Sequence, residues 1–181
     1  SMAMHKSDEL QHVTITLKER LIKVGLKADA TRIMTFKPQQ NITEIWISNQ
    51  DYGYSQKMIA PYLLKGGIVG QDFNEGLRSR TDYAKSYSKI EKDAYWTYMF
   101  ENSDFSKIAT ERKQFILNAS HYNICVAFED KAALFMARYT DDKFTQVEIE
   151  ILKRFAKVFE QSYIRFLDLQ KAEAQAREAQ I

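Results

Sequence analysis

The chain has few of the residues that build disulfide scaffolds and metal sites. Its 181 residues include one cysteine, Cys125, and three histidines. One cysteine excludes an internal disulfide framework and suits a reducing cytoplasm. His5 and His12 lie on the same predicted helix, with no cysteine or third histidine near them to complete a metal site. We therefore expect a cytoplasmic protein with no metal and no evident cofactor.

Long apolar runs and a strong charge of one sign are also missing. Every apolar run is far shorter than the ~20 residues that span a bilayer, and the first ten residues lack the apolar core of a secretory signal. A net charge of +2 is too small to make nucleic acid or an anionic membrane the main partner. The composition, 45% hydrophobic and 13% aromatic, supplies one core. We expect one domain that neither inserts into a membrane nor binds nucleic acid.

Motifs for catalysis or nucleotide binding are absent as well. The glycines of residues 65–70 lack the spacing of the nucleotide-binding motifs, so we expect a mobile loop there. Cys125 would need a neighbouring base to act as a nucleophile, and His121 lies about 13 Å away if this segment is a strand. Cys125 is therefore expected to fill the core, and the isolated domain is predicted not to be an enzyme.

The apolar pattern predicts helices and antiparallel strands. A first helix over residues 7–24 carries apolar residues at steps of three and four. Residues 72–119 show a broken helical pattern in which Tyr83, Tyr87, Ile90, Ala94 and Tyr98 share one face. Period-two alternation predicts strands at residues 32–37, 42–48, 54–63, 121–128 and 132–139. This order predicts an α+β fold with a mostly antiparallel central sheet of five to six strands and flanking helices.

The C-terminal segment, residues 144–181, predicts one long helix. Thr145 and Glu148 form a capping box, and no glycine or proline follows. Apolar residues then alternate by three and four positions, as in a coiled-coil seam. Because this stripe exceeds what one sheet face can cover, we expect part of it to meet a second copy in a parallel homodimer. The residues expected in this dimer and signalling interface are Leu10, Leu17, Leu21, Phe159, Phe166 and Leu169.

The two ends of the chain carry a resemblance to a known family. The segment FAKVFEQSYIRFLDLQKAEAQAREAQI resembles the exit helix of GAF-like sensor domains in large bacterial two-component sensor proteins. The start, SMAMHKSDEL, resembles the opening of the unit that follows such a helix in those proteins. The resemblance implies a GAF-like sensor domain in residues 1–143, including the helix at 7–24, and a signalling helix in residues 144–181. PAS-like sensors share much of this arrangement.

The resemblance also suggests where a ligand would bind. In GAF domains the small-molecule pocket lies between the sheet and the helical insert, and the aromatic cluster of residues 83–105 matches that insert by its position in the order of elements. The expected ligand-binding residues are Tyr83, Tyr87, Trp96 and Tyr98. The alternative is that these rings only form the core. The Cys-His pair of bilin-binding domains and the signature of the cyclic-nucleotide-binding branch are absent, so the ligand stays open.

The function implied by the resemblance is regulatory. The domain would couple a small-molecule or partner signal to a downstream effector through its terminal helices and the adjacent domains of the same chain. A histidine kinase is the implied effector, and a nucleotide cyclase is the alternative. A ligand-free dimerisation or spacer repeat is a further reading. A GAF-related group that reduces methionine sulfoxide uses several cysteines, and the single cysteine here argues against that activity.

Overall fold

The computed structural model describes residues 9–49 and 54–180, and within these ranges the chain forms five α-helices and six β-strands. The helices are α1 (Glu9–Lys23), α2 (Ile68–Ser79), α3 (Lys89–Asn102), α4 (Thr110–Asn118) and α5 (Gln146–Ala179). The strands are β1 (Ala30–Lys37), β2 (Ile42–Asn49), β3 (Tyr54–Pro61), β4 (Tyr83–Tyr87), β5 (Tyr122–Phe128) and β6 (Ala132–Arg138). Residues 7, 8 and 181, at the ends of the two predicted terminal helices, lie outside the described residues.

The strands form one antiparallel sheet in the order β3-β2-β1-β6-β5-β4. Ile33 of β1 lies opposite Trp46 of β2 on one side and Leu134 of β6 on the other. The predicted α+β fold with an antiparallel sheet, flanking helices and a long C-terminal helix is confirmed. Short hairpins join β1 to β2, β2 to β3 and β5 to β6, which is why local alternation was enough to predict five of the strands.

Helices cover both faces of the sheet. On one face, α1 and α5 pack around buried residues that include Leu17, Leu134 and Phe159. On the other face, α2, α3 and α4 enclose a larger cluster that includes Phe36, Trp96 and Phe128. The fold therefore has three layers, with the sheet between two sets of helices.

The C-terminal helix begins with the predicted capping box. The Thr145 hydroxyl accepts from the Glu148 N–H, and the Glu148 carboxylate accepts from the Thr145 N–H. Buried residues recur along α5 from Leu152 to Phe166. The first six turns of α5 thus belong to the packed domain, so packing extends well past the predicted boundary at residue 143.

The predicted helical insert is wrong in its first part. Tyr83–Tyr87 form the edge strand β4, paired with β5, rather than a turn of helix. The helix starts only after Ser88, whose hydroxyl accepts from the Glu91 N–H in a second capping box. Ile90, which the helical pattern placed on the apolar face, is 83% exposed.

The predicted loop at residues 65–70 is also wrong in its second half, because α2 begins at Ile68. Gly66 and Gly67 adopt φ values of +89° and +82°, which favour glycine. Gly70 lies inside α2, where an added Cβ would lie 2.2 Å from the carbonyl oxygen of Lys65. These glycines therefore serve a tight turn and a close packing contact.

Candidate ligand site around a buried arginine

A charged residue lies in the middle of the sheet face that α2, α3 and α4 cover. Side chains of β1 alternate between the two faces, and Ala30, Met34 and Phe36 lie on this one. Arg32 shares their face and is only 5% exposed. Its neighbours in the sheet are Ile47 of β2 and Phe135 of β6.

Three aromatic rings surround the guanidinium of Arg32. Its Cζ atom lies 4.9 Å from the ring centres of Phe105 and Phe135 and 5.4 Å from that of Trp96. Phe135 comes from β6 and Trp96 from α3, while Phe105 comes from the short 3-10 turn that follows α3. These contacts provide cation–π attraction, but they leave the buried Nε–H of the guanidinium without an acceptor.

Two buried phenols complete the cluster. Tyr122 begins β5 and Tyr139 follows the last residue of β6, and their rings stack with centres 5.2 Å apart. Burial raises the pKa of both phenols, and the positive charge of Arg32 offsets part of that rise. Both hydroxyls are therefore neutral at physiological pH and can donate a hydrogen bond.

Four buried polar atoms of this cluster make no hydrogen bond of normal length and angle in the described parts of the chain, although Trp96 lies near the Tyr122 hydroxyl and Arg32 near the Tyr139 hydroxyl, close enough to lower the pKa of each phenol. They are Nε of Arg32, Nε1 of Trp96 and the hydroxyl oxygens of Tyr122 and Tyr139. A buried polar group without a partner costs about 1–3 kcal/mol. Native proteins leave few such groups, so the presence of four in one cluster makes this cluster the candidate site.

The ion pairs found within residues 9–49 and 54–180 do not involve Arg32. The carboxylates that form these ion pairs bind other cations, as Glu44 binds Lys37 and Lys57. Buried charges in proteins are normally paired or hydrogen-bonded. Arg32 is therefore a buried cation whose charge the described part of the chain does not neutralise.

One of the four predicted ligand residues belongs to this cluster. Trp96 is fully buried beside Arg32. Tyr87 lies on β4, stacks near Tyr122 with ring centres 6.3 Å apart, and donates its hydroxyl proton to Asp72 across 2.8 Å. Tyr83 also lies on β4, and its buried hydroxyl has no described partner.

The fourth predicted residue, Tyr98, is half-buried on α3. It packs so close to Gly66 that a Cβ added there would lie 2.9 Å from the Tyr98 Cβ. Arg32, Tyr122 and Tyr139 were not among the residues predicted from the sequence. A signal for Arg32 was present, because an arginine in the same alternating row as Met34 and Phe36 is a cation at a core position.

Of the six residues expected in the dimer interface, five are buried within one chain and one is exposed. Leu10, Leu17, Leu21, Phe159 and Phe166 are at most 4% exposed and pack against the sheet within one chain. Only Leu169 stays exposed, at 41%. Packing inside one chain therefore explains the apolar character of the five buried residues without a second copy.

The site and α5 are linked by two consecutive residues, the last residue of β6 and the residue that follows it. Tyr139 faces the site, whereas Arg138 projects to the opposite face, because neighbouring residues of a strand alternate. Arg138 binds both carboxylate oxygens of Glu148 in the first turn of α5, at 2.6 and 3.3 Å, and its Cζ lies 4.1 Å from the ring centre of Phe144. A shift of the Tyr139 backbone would therefore act directly on the start of α5.

Comparison of the chain with protein-family models gives no match, and comparison with curated proteins gives none either. Among the helices that the structure describes, none is both long and apolar enough to cross a membrane. In the same residues, no three or more histidine, cysteine, aspartate or glutamate side chains gather where they could hold a metal ion. The geometry of the buried cluster is therefore the basis for a functional proposal.

Proposed function

We propose that this chain is a non-catalytic regulatory domain that binds a small molecule between its sheet and helices α2 to α4. The supporting observation is the set of four unpaired, buried donors around Arg32. Such groups are costly in a site with no other purpose, and a few convergent polar groups in mostly apolar surroundings are typical of ligand sites.

A regulatory role fits this cluster better than a catalytic one. Cys125 lies on the opposite face of the sheet, in the cluster around α1 and α5. Burial raises its pKa to about 12, so it is a protonated thiol at physiological pH. Around Arg32 the polar groups are donors, which suits holding a molecule rather than attacking one.

The domain would transmit the effect of ligand binding through its terminal helices. Ligand binding at Tyr139 would change the backbone that carries Arg138, and Arg138 holds the first turn of α5 through Glu148. Helix α1 packs in the same cluster as α5, so both terminal helices share the face that would respond. A two-state change in helix packing is a common device of protein switches.

The resemblance of the chain's ends to GAF-like sensor domains supports a wider setting. In that setting the chain is a cytoplasmic sensor domain of a bacterial signal-transduction protein, joined to adjacent domains of the same chain. The effector would be a histidine kinase of a two-component system, with a nucleotide cyclase as the alternative. Dimerisation would use the exposed part of α5, which includes Leu169.

A second candidate function is a ligand-free dimerisation or spacer repeat. It is favoured by the apolar residues that α5 leaves exposed, Val147, Val158, Ile164 and Leu169. An aromatic core also needs no ligand to explain it. The two functions differ in whether any small molecule occupies the Arg32 cluster.

Fluorescence of Trp96 tests the proposed function. The chain has two tryptophans, so a Trp46→Phe protein reports on Trp96 alone. We expect at least one compound of a metabolite panel to change Trp96 emission and raise the melting temperature. A folded protein for which no compound changes either quantity would favour the spacer function.

A further inference from the structure

We infer that the ligand of this site is a small monocarboxylate with an apolar body, and that Arg32 holds its carboxylate. The inference rests on the proposed function, because it names the class of molecule that the same site binds. Its basis is the charge of Arg32, the type of the unpaired atoms and the character of the surrounding side chains.

The charge of Arg32 calls for an anion. Arg32 is only 5% exposed, and arginine stays protonated in proteins. The aromatic rings at 4.9–5.4 Å attract the cation but carry no negative charge. Leaving a buried charge without a counter-charge is strongly unfavourable, so a negatively charged ligand supplies the largest stabilisation.

The unpaired atoms favour the same kind of ligand. The free N–H groups of Arg32 and Trp96 can only donate, and the neutral hydroxyls of Tyr122 and Tyr139 can also donate. A carboxylate has two oxygens with about four acceptor positions, and it matches the fork of a guanidinium. A carboxylate therefore matches these donors in chemical type.

The surroundings favour a monoanion over a phosphate. Arg32 is the buried cation of the cluster, since Arg112, 5.8 Å from the Tyr139 ring centre, is only partly buried. The wall around Arg32 is aromatic, formed by Trp96, Phe105 and Phe135. A phosphate dianion needs more positive charge and more donors than one guanidinium in an apolar wall provides. An aliphatic or aromatic body would instead gain from contact with the rings.

Paired probes of equal shape test this inference in the Trp46→Phe protein. Benzoate and phenylacetate carry a carboxylate, whereas benzamide and phenylacetamide have the same bodies without charge. We expect the acids to change Trp96 emission with affinities about tenfold or more above those of the amides, which is the effect of a charge-assisted hydrogen bond. Inorganic phosphate should bind more weakly than the acids.

Two variants identify the residue responsible. Arg32→Met removes the charge and keeps an unbranched side chain, and we expect it to weaken binding of the acids about tenfold or more while binding of the amides changes little. Lys37→Met removes a cation from the same strand but on the other side, beside Glu44, and should leave binding unchanged. If Arg32→Met does not fold, the comparison of acids with amides in the Trp46→Phe protein still decides whether the site prefers a carboxylate.

The outcomes separate the inference from the proposed function. Equal binding of acids and amides, stronger binding of phosphate, or full binding of the acids by a folded Arg32→Met would overturn the monocarboxylate. Binding of a neutral metabolite alone would overturn it too, and would leave the proposed function standing. If neither these probes nor the metabolite panel alters Trp96 emission, the monocarboxylate inference and the proposed function are both contradicted. Water is then the partner of the four donors.

Discussion

Arg138 and Glu148 form a two-pronged ion pair that joins the last residue of β6 to the first turn of α5. The next residue along the chain, Tyr139, turns to the opposite face and closes the Arg32 cluster. Two adjacent residues thus connect the candidate ligand site, which Tyr139 lines, to the start of the C-terminal helix, which Arg138 binds. The ion pair is the contact through which a signal would pass.

Glu148→Gln should weaken the attachment of α5. The substitution removes a charge-assisted hydrogen bond that is largely shielded from water, so the free energy of unfolding should fall by about 1–3 kcal/mol. Urea denaturation measures the change. Glu150→Gln is the matched control, because Glu150 lies in the same part of α5 and is exposed. Equal effects of the two substitutions would show that the ion pair contributes little.

The same pair gives a pH dependence. Burial raises the pKa of Glu148, but the hydrogen bonds and charge of Arg138 and Thr145 outweigh it, so the net pKa lies below the ordinary 4.5. A carboxylate with a lowered folded-state pKa stabilises the fold above its unfolded pKa and loses that contribution as the pH falls. Wild-type stability should therefore fall more steeply than that of Glu148→Gln as the pH drops below 4.5. Parallel pH curves for the two proteins would contradict this.

Removal of the Tyr87 hydroxyl and removal of the Tyr122 hydroxyl should have opposite effects on stability. The Tyr87 hydroxyl has a partner in Asp72, so Tyr87→Phe should cost about 0.5–1.5 kcal/mol. The Tyr122 hydroxyl is unpaired, so Tyr122→Phe should be neutral or stabilising in the free protein. Thermal melts of both variants without added ligand make the comparison. A larger loss for Tyr122→Phe would mean that its hydroxyl has a strong partner in the free protein.

The native thiol of Cys125 should resist labelling. Cys125 is 1% exposed on an interior strand, and burial raises its pKa to about 12. A thiol reagent should therefore react quickly only after the protein is denatured. Mass spectrometry of native and denatured samples counts the labelled molecules. Rapid modification of the native protein would show that Cys125 is an accessible, reactive thiol.

Substitutions along α5 separate folding from dimerisation. Phe159 and Phe166 are buried in one chain, so glutamate at either position should unfold the domain. Leu169 is 41% exposed, so Leu169→Glu should leave the melting temperature unchanged and shift a dimer towards monomer. Light scattering measures the mass. If Leu169→Glu has the same dimer content as the wild type, Leu169 lies outside any dimer interface.

The parts of the fold that were predictable are those fixed by neighbouring residues. Hairpin strands and the Thr145 cap depend on local alternation and on residues three positions apart. The edge strand β4 was missed because its five residues carry tyrosines at a spacing that also fits a helix. Pairing with β5, a distant segment, decides that strand.

The site was less predictable than the fold for a similar reason. Trp96 could be chosen as an aromatic residue of the helical insert, but its neighbours Arg32 and Phe135 lie more than 60 and about 40 positions away. Whether Arg32 points to water or into the core depends on the helical layer that covers its strand. That layer forms only when α3 and the turn carrying Phe105 pack on the sheet.

Hydrogen exchange of α5, measured with and without a bound ligand, tests the central claim most directly. The protein would be compared alone and saturated with the compound that changes Trp96 emission most strongly. The account predicts slower exchange both in α3, next to the ligand, and in the first turns of α5, with the α5 effect lost in Glu148→Gln. Protection confined to α3 and the strands around Arg32, with α5 exchanging at the same rate in both samples, would contradict it.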